Sequence, residues 1–177
     1  WKTFIGSLEH PHWTDILEEQ LGRPIDRDAL RAERGVLQGE CNADLAPLPG
    51  VVRLIDDLHA SGTALAVASS SSADWVHGHL GGHGLFDRFA TIATGDEVPR
   101  TKPDPAVYLL ACERLGVSPG DAVAIEDSVN GVTAAKAAGM LAVAVPGTLT
   151  RDMDFAAADL VVESCVDLTP ERLATLF

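Results

Sequence analysis

The chain has 177 residues, 46% of them hydrophobic but only 5% aromatic, with a formal net charge of −13. That length suits one medium domain or a core with a small appendage, and the Ala/Val/Leu-rich composition is that of a globular α/β protein. The charge excludes a nucleic-acid surface, which needs clustered Lys and Arg, and no apolar run approaches the roughly 20 residues of a membrane span. The expected partner is therefore a small molecule, and the chain itself is expected as a monomer or weak dimer. Cys41, Cys112 and Cys165 are scattered and outside any metal-ligand spacing, so they read as free thiols in a reducing cytoplasm. No basic-then-apolar leader is visible, which agrees with a cytoplasmic setting.

Taken in order, Trp13, Ile16, Leu17 and Leu21 have helical spacing that Gly22 ends, and a second helix is predicted from Asp28 to Leu45. Pro47-Leu48-Pro49-Gly50 then breaks the chain. Beyond it, helices and strands alternate at βαβ spacing. Helix 51–61 leads to strand 64–68, helix 73–80, strand 91–94, helix 105–115, strand 122–125, helix 130–138, strand 142–145 and a last strand at 160–162. Strands this apolar imply a parallel sheet buried on both faces.

Three segments carry chemistry. The strand Leu65-Ala66-Val67-Ala68 ends in Ser69-Ser70-Ser71-Ser72, where hydroxyls and free backbone N–H groups can cradle a phosphate. Thr101-Lys102-Pro103-Asp104-Pro105 mounts one cation in a proline-stiffened turn ahead of a helix. Ala122-Val123-Ala124-Ile125-Glu126-Asp127-Ser128 delivers two adjacent carboxylates from a buried strand, and Asn130-Gly131 then turns into a helix. Two hard oxygen ligands there favour Mg²⁺. A hydroxyl cluster, a restrained lysine and a carboxylate pair would together serve the phosphate and the metal of a phosphoryl-transfer site. His77, His79 and His83 are read as non-ligands, because the first two point to different sides of a helix.

Ser69 after an apolar strand, Lys102 in KPDP, and Glu126-Asp127-Ser128 followed by NGVTAAKAAG resemble the second, third and fourth motifs of the haloacid-dehalogenase-like (HAD) superfamily. The likeness is to its small-molecule phosphatase and β-phosphoglucomutase-like branch, over roughly residues 48–145. It implies a Rossmann-like parallel-sheet core (HAD-like) at 47–177 and the remainder of a helical cap at 1–46. It also implies that Ser69, with Ser70 beside it, binds the transferring phosphoryl group, that Lys102 neutralises it, and that Glu126 and Asp127 hold Mg²⁺.

The superfamily's first motif, an Asp-x-Asp segment whose first aspartate is the nucleophile, has no match. Asp26-Arg27-Asp28 and Asp152-Met153-Asp154 are the only such triplets, and neither follows an apolar strand. The chain opens at Trp1 without methionine, so the nucleophile and the sheet's central strand are expected upstream, and residues 1–177 alone are expected to be inactive. In β-phosphoglucomutase-like caps an arginine grips a second phosphate where this chain has Glu9, beside His10; a carboxylate there disfavours a bisphosphate and favours a monophosphate hydrolase. The expected function is a Mg²⁺-dependent phosphatase of a small phosphorylated metabolite such as a sugar phosphate. A phosphomutase is the alternative enzyme, and a non-catalytic phospho-ligand-binding domain the alternative of another class. The latter would have no need of the carboxylate pair.

Overall fold

The computed structural model describes residues 5–6, 12–43 and 45–177. They fall into two compact units, one drawn from 10–47 and the other from 1–9 with 48–177. In the helical unit, α1 (Trp13–Leu21) is capped by the His12 imidazole, which accepts from the Thr14 N–H, and ends at Gly22 with φ 63°. The Asp26 carboxylate accepts from the Ala29 N–H at 3.0 Å and Asp28 lies in the first turn of α2 (Arg27–Ala43). Both aspartates thus serve a helix start, which explains this Asp-x-Asp triplet structurally. Arg27 holds the two helices together by pairing with Asp15 and Glu18.

The expected cap boundary of 1–46 differs from the observed unit at its N-terminal side. Ile5 and Gly6 group with the α/β unit, because Asn130 Nδ2 donates to the Ile5 carbonyl at 2.8 Å and Ser70 Oγ to the Gly6 carbonyl at 3.0 Å.

The α/β unit runs α3 (Val51–Ala60), β1 (Ala66–Ala68), α4 (Ala73–Gly82), β2 (Thr91–Ala93), α5 (Ala106–Leu115), β3 (Val123–Glu126), α6 (Val129–Ala137), β4 (Leu141–Ala144), β5 (Leu160–Val161) and α7 (Pro170–Ala174). Among the described residues the strands form two parallel sheets, β1-β2 and β3-β4-β5, with Val67 opposite Ile92, Ile125 opposite Val143 and Ala144 opposite Val161. Strand β4 shows why the pattern is so apolar. Its Ala142 and Ala144 belong to the core with Ala134, Ala135, Val107 and Ala111 of α6 and α5. Val143 and the following Val145 instead join Leu54, Leu58, Leu168 and Leu173. Alternate side chains serve opposite faces, so helices cover both sides of this strand, and each buried Val or Leu contributes about 1.5–3 kcal/mol.

Full two-sided burial holds for β4 but not for β1, whose three residues are only half-buried, or for Ile125 of β3, which is 37% exposed. Each of these strands has one edge without a ladder partner among the described residues, since β1 pairs with β2 alone and β3 with β4 alone.

A clasp joins the end of β2 to α5. Glu97 accepts from Thr94 N–H at 2.9 Å and Thr94 Oγ1 at 3.0 Å, and pairs with Arg114 at 2.6 Å, while Arg114 Nη1 donates to the Ile92 carbonyl at 2.6 Å. The Arg114 hydrogen bond, followed by those from Thr94, lowers the Glu97 carboxyl from 4.5 to about 2. The folded state therefore favours the ionised form, and the clasp's contribution is complete above pH 4.5 and lost as pH falls toward about 2. Glu97→Gln is expected to flatten the acid limb of the Tm-versus-pH curve across that window. An unchanged slope in melts across that range would contradict the clasp.

Candidate active site

Both site strands end with a backbone bond that fixes the next residue. The Ser69 N–H donates to the Ala93 carbonyl at 2.9 Å, and the Glu126 carbonyl accepts from the Val145 N–H at 2.6 Å. Ser69 and Glu126 are thereby set at the carboxyl ends of β1 and β3, the edge where open parallel sheets bind ligands. Ser69 Oγ accepts from the Ser71 N–H at 3.1 Å, which leaves its own O–H available to donate. Ser70 Oγ donates to the Gly6 carbonyl and accepts from the Lys102 N–H at 3.3 Å, so it fastens three chain segments to one another. The cap of α4 is Ser72, which accepts from the Trp75 N–H; the capping hydroxyl is thus distinct from those of Ser69 and Ser70.

Lys102 lies across the two sheets' ends. The residue is 7% exposed, and Nζ donates to the Ala68 carbonyl at 2.8 Å and to Glu126 Oε1. A buried ammonium survives only when paired and hydrogen-bonded. Here one acceptor comes from β1 and the other from β3, so a single cation ties the hydroxyl loop to the carboxylate pair. The Tyr108 O–H also donates to Glu126 Oε1, and the Lys102 ammonium stands 4.7 Å from the Tyr108 ring centroid. Burial, then the adjacent Glu126 charge, pushes the Tyr108 phenol well above 10, so it remains a donor.

Glu126 is buried, Asp127 exposed. Ser128 Oγ reaches Glu126 Oε2 at 3.3 Å and accepts from the Gly131 N–H at 3.0 Å, capping α6. Thr150, buried, donates from Oγ1 to the Asp127 carbonyl at 2.7 Å and accepts from the Gly147 N–H at 3.0 Å. The Asp127 carboxyl is pushed above 3.8, first by desolvation and then by the Glu126 charge; its own backbone N–H and Lys102 act in the opposite direction.

Gly131 explains the turn that follows the carboxylates, because a Cβ there would overlap the Glu126 carboxylate itself. Gly131→Ala is expected to cost about 1–3 kcal/mol of stability by overpacking and to displace Glu126 from Lys102. Denaturant unfolding measures the first effect; a stability within about 0.5 kcal/mol of the parent, typical of surface substitutions, would contradict it.

Ser69, Ser70, Lys102, Glu126 and Asp127 all stand at this sheet edge. Glu9 and His10 lie outside the described residues. His77 meets the Phe86 ring edge-on and His79 the Trp75 ring, which are packing contacts. Tyr108 and Thr150 were not anticipated: an apolar helix position and a loop threonine carry no sequence signal for a partner 18 or 23 residues away.

The donor set is compatible with Mg²⁺. Two adjacent carboxylates supply hard oxygens, and Glu126 Oε2 and Asp127 retain acceptor capacity. Among the described residues no group of three or more His, Cys, Asp or Glu assembles, so the pair would be completed by oxygens of other kinds. Mg²⁺ is commonly held by one or two carboxylates plus water and phosphate oxygens.

A parallel α/β core with hydroxyls, a buried lysine and a carboxylate pair on its carboxyl edge defines the class of doubly wound phosphoryl-handling proteins. The family model for haloacid dehalogenase-like hydrolases matches residues 3–139, and the chain belongs to that family. It is similar to YhcW of Bacillus subtilis, 40% identical over 171 residues, which cover 95% of this chain and 76% of that protein. Hexitol phosphatase B of Escherichia coli is 37% identical over 127 residues, covering 71% of this chain and 57% of that protein. Among solved structures, a mutant CbbY from Rhodobacter sphaeroides in complex with xylulose-(1,5)-bisphosphate matches with a TM-score of 0.73 and 38% identity, over 82% of this chain and 68% of that one. No helix among the described residues is long and apolar enough to cross a membrane.

Proposed function

We propose that this chain provides the phosphate- and metal-binding part of a Mg²⁺-dependent phosphatase of small phosphorylated metabolites such as sugar phosphates. The observation that carries the reading is the Lys102 ammonium, buried between the Ala68 carbonyl beside Ser69 and the Glu126 carboxylate beside Asp127. The helical unit is read as the remainder of a cap, and a nucleophilic aspartate is placed upstream of Trp1, on a strand for which β1 and β3 each have an edge without a partner among the described residues. In this reading residues 1–177 alone do not turn over substrate.

Charge supports a cation at the site. Glu126, Asp127 and Lys102 together leave one net negative charge, which would repel a phosphoryl dianion. Mg²⁺ held by Glu126 and Asp127 would reverse that sign and act as a Lewis acid on a phosphoryl oxygen. Ser69 donates its O–H to an equatorial oxygen. Lys102, with two N–H groups engaged, directs its third toward charge that develops in the transition state. Ser70 ties the loop that carries Ser69 to the turn that carries Lys102, accepting from the Lys102 N–H, and it also donates to the Gly6 carbonyl.

A phosphomutase is the rival, and the similar CbbY was solved with a bisphosphate bound. The experiment is to offer the protein, extended upstream, a panel of sugar monophosphates with Mg²⁺, following inorganic phosphate release and product identity by ³¹P NMR. Phosphate release in step with substrate loss supports the phosphatase. Isomerised phosphate ester without release contradicts it in favour of the mutase, and binding without turnover favours a binding domain.

A further inference from the structure

We propose that Tyr108 is a positioning residue: its hydroxyl decides which oxygen of Glu126 serves Lys102, and thereby leaves the other available to a cation. This deepens the phosphatase reading and rests on it. Tyr108 sits on α5 one turn after the proline-stiffened segment that carries Lys102, and it is 6% exposed. Its ring belongs to the core with Val107, Ala111 and Ala124, a place that phenylalanine would fill equally well. The hydroxyl is what phenylalanine lacks, and it is directed at Glu126 Oε1.

Among the described residues Oε1 therefore receives two donors, the Tyr108 O–H and the Lys102 ammonium, whereas Oε2 receives one, the Ser128 hydroxyl at 3.3 Å. The terminal torsion of a glutamate is broad and roughly two-fold. A lone lysine could pair with either oxygen, and the carboxylate could turn with it. With the phenol fixed by α5, one oxygen is committed to the protein and the second is left for a cation. The same ring bounds the ammonium at 4.7 Å, holding Nζ against the Ala68 carbonyl. Tyr108 need not touch substrate; it acts through Glu126 and Lys102.

The test uses the protein with its upstream segment. Tyr108→Phe is expected to lower kcat by about 10-fold to 100-fold and to weaken Mg²⁺ binding, read by calorimetry without substrate, by a similar factor, as removal of a partner of a metal-binding carboxylate does. KM for the phosphate ester is expected to stay within about threefold, because Ser69 and the substrate contacts are untouched. A p-aminophenylalanine at position 108, which restores a donor on the same ring, is expected to recover both quantities, and it also reports should the phenylalanine variant fold poorly. Folded Tyr108→Phe protein with wild-type kcat and Mg²⁺ affinity would reduce Tyr108 to a core residue, as would an aminophenylalanine protein that regains its melting temperature but neither quantity. A wild type that neither binds Mg²⁺ nor hydrolyses phosphate esters would instead defeat the phosphatase reading, and this inference with it.

Discussion

Lys102→Ala is expected to lower turnover of the upstream-extended protein by several orders of magnitude. The loss of one preorganised donor at a developing charge costs about 10²–10³ in kcat, and Lys102 also links the Ala68 carbonyl to Glu126. Its removal leaves Glu126, which is 8% exposed, with the Tyr108 and Ser128 hydroxyls as its partners among the described residues. Breaking a buried pair from one side costs about 3–5 kcal/mol, so the variant should also melt at lower temperature. Lys102→Arg is not expected to rescue it, because a planar guanidinium replaces a compact ammonium in a gap bounded by a carbonyl, a carboxylate and a ring. Steady-state kinetics at a temperature where the variant is folded separate the effects. A fall in kcat below about tenfold, roughly 1.4 kcal/mol, would place Lys102 outside the chemistry.

Asp127→Asn is expected to abolish Mg²⁺-dependent hydrolysis while leaving the fold in place. The residue lies at the surface although its carboxyl is partly desolvated, and the backbone at 127 is held independently of the side chain by the Thr150 hydroxyl on its carbonyl. Asparagine keeps the shape but loses the charge on which a hard cation depends. Relief of repulsion between adjacent carboxylates can raise stability slightly, so the expected signature is an unchanged or higher Tm with lost Mg²⁺ affinity. Retained turnover would remove Asp127 from the metal site.

The helices and strands of the α/β unit were legible because alternating apolar runs and Pro/Gly breaks set them locally; observed bounds differ from the expected ones by one or two residues at most ends. The second helix stops at Ala43 rather than Leu45, ahead of the Pro47 that disfavours helical backbone before it. The short α7 went unread although Thr169-Pro170 is a helix-start signal, the threonine accepting from the Arg172 N–H. The residues that the motifs single out, Ser69, Ser70, Lys102, Glu126 and Asp127, stand together at the carboxyl ends of β1 and β3. What the motifs could not show is how they interlock: Ser72 caps α4, Ser70 bonds across to Gly6, and Tyr108 and Thr150 acquire partners only when α5 and the loop after β4 reach β3. Glu9, on which the choice between mono- and bisphosphate rested, lies beyond the described residues.

Removing the metal tests whether the Glu126–Asp127 pair holds the cation that a phosphoryl-transfer site needs. The upstream-extended protein is assayed for p-nitrophenyl phosphate hydrolysis with Mg²⁺ in excess, after EDTA treatment, and after Mg²⁺ is restored. Hydrolysis is expected to disappear with chelation and to return with Mg²⁺. Hydrolysis indifferent to chelation would contradict the metal assignment.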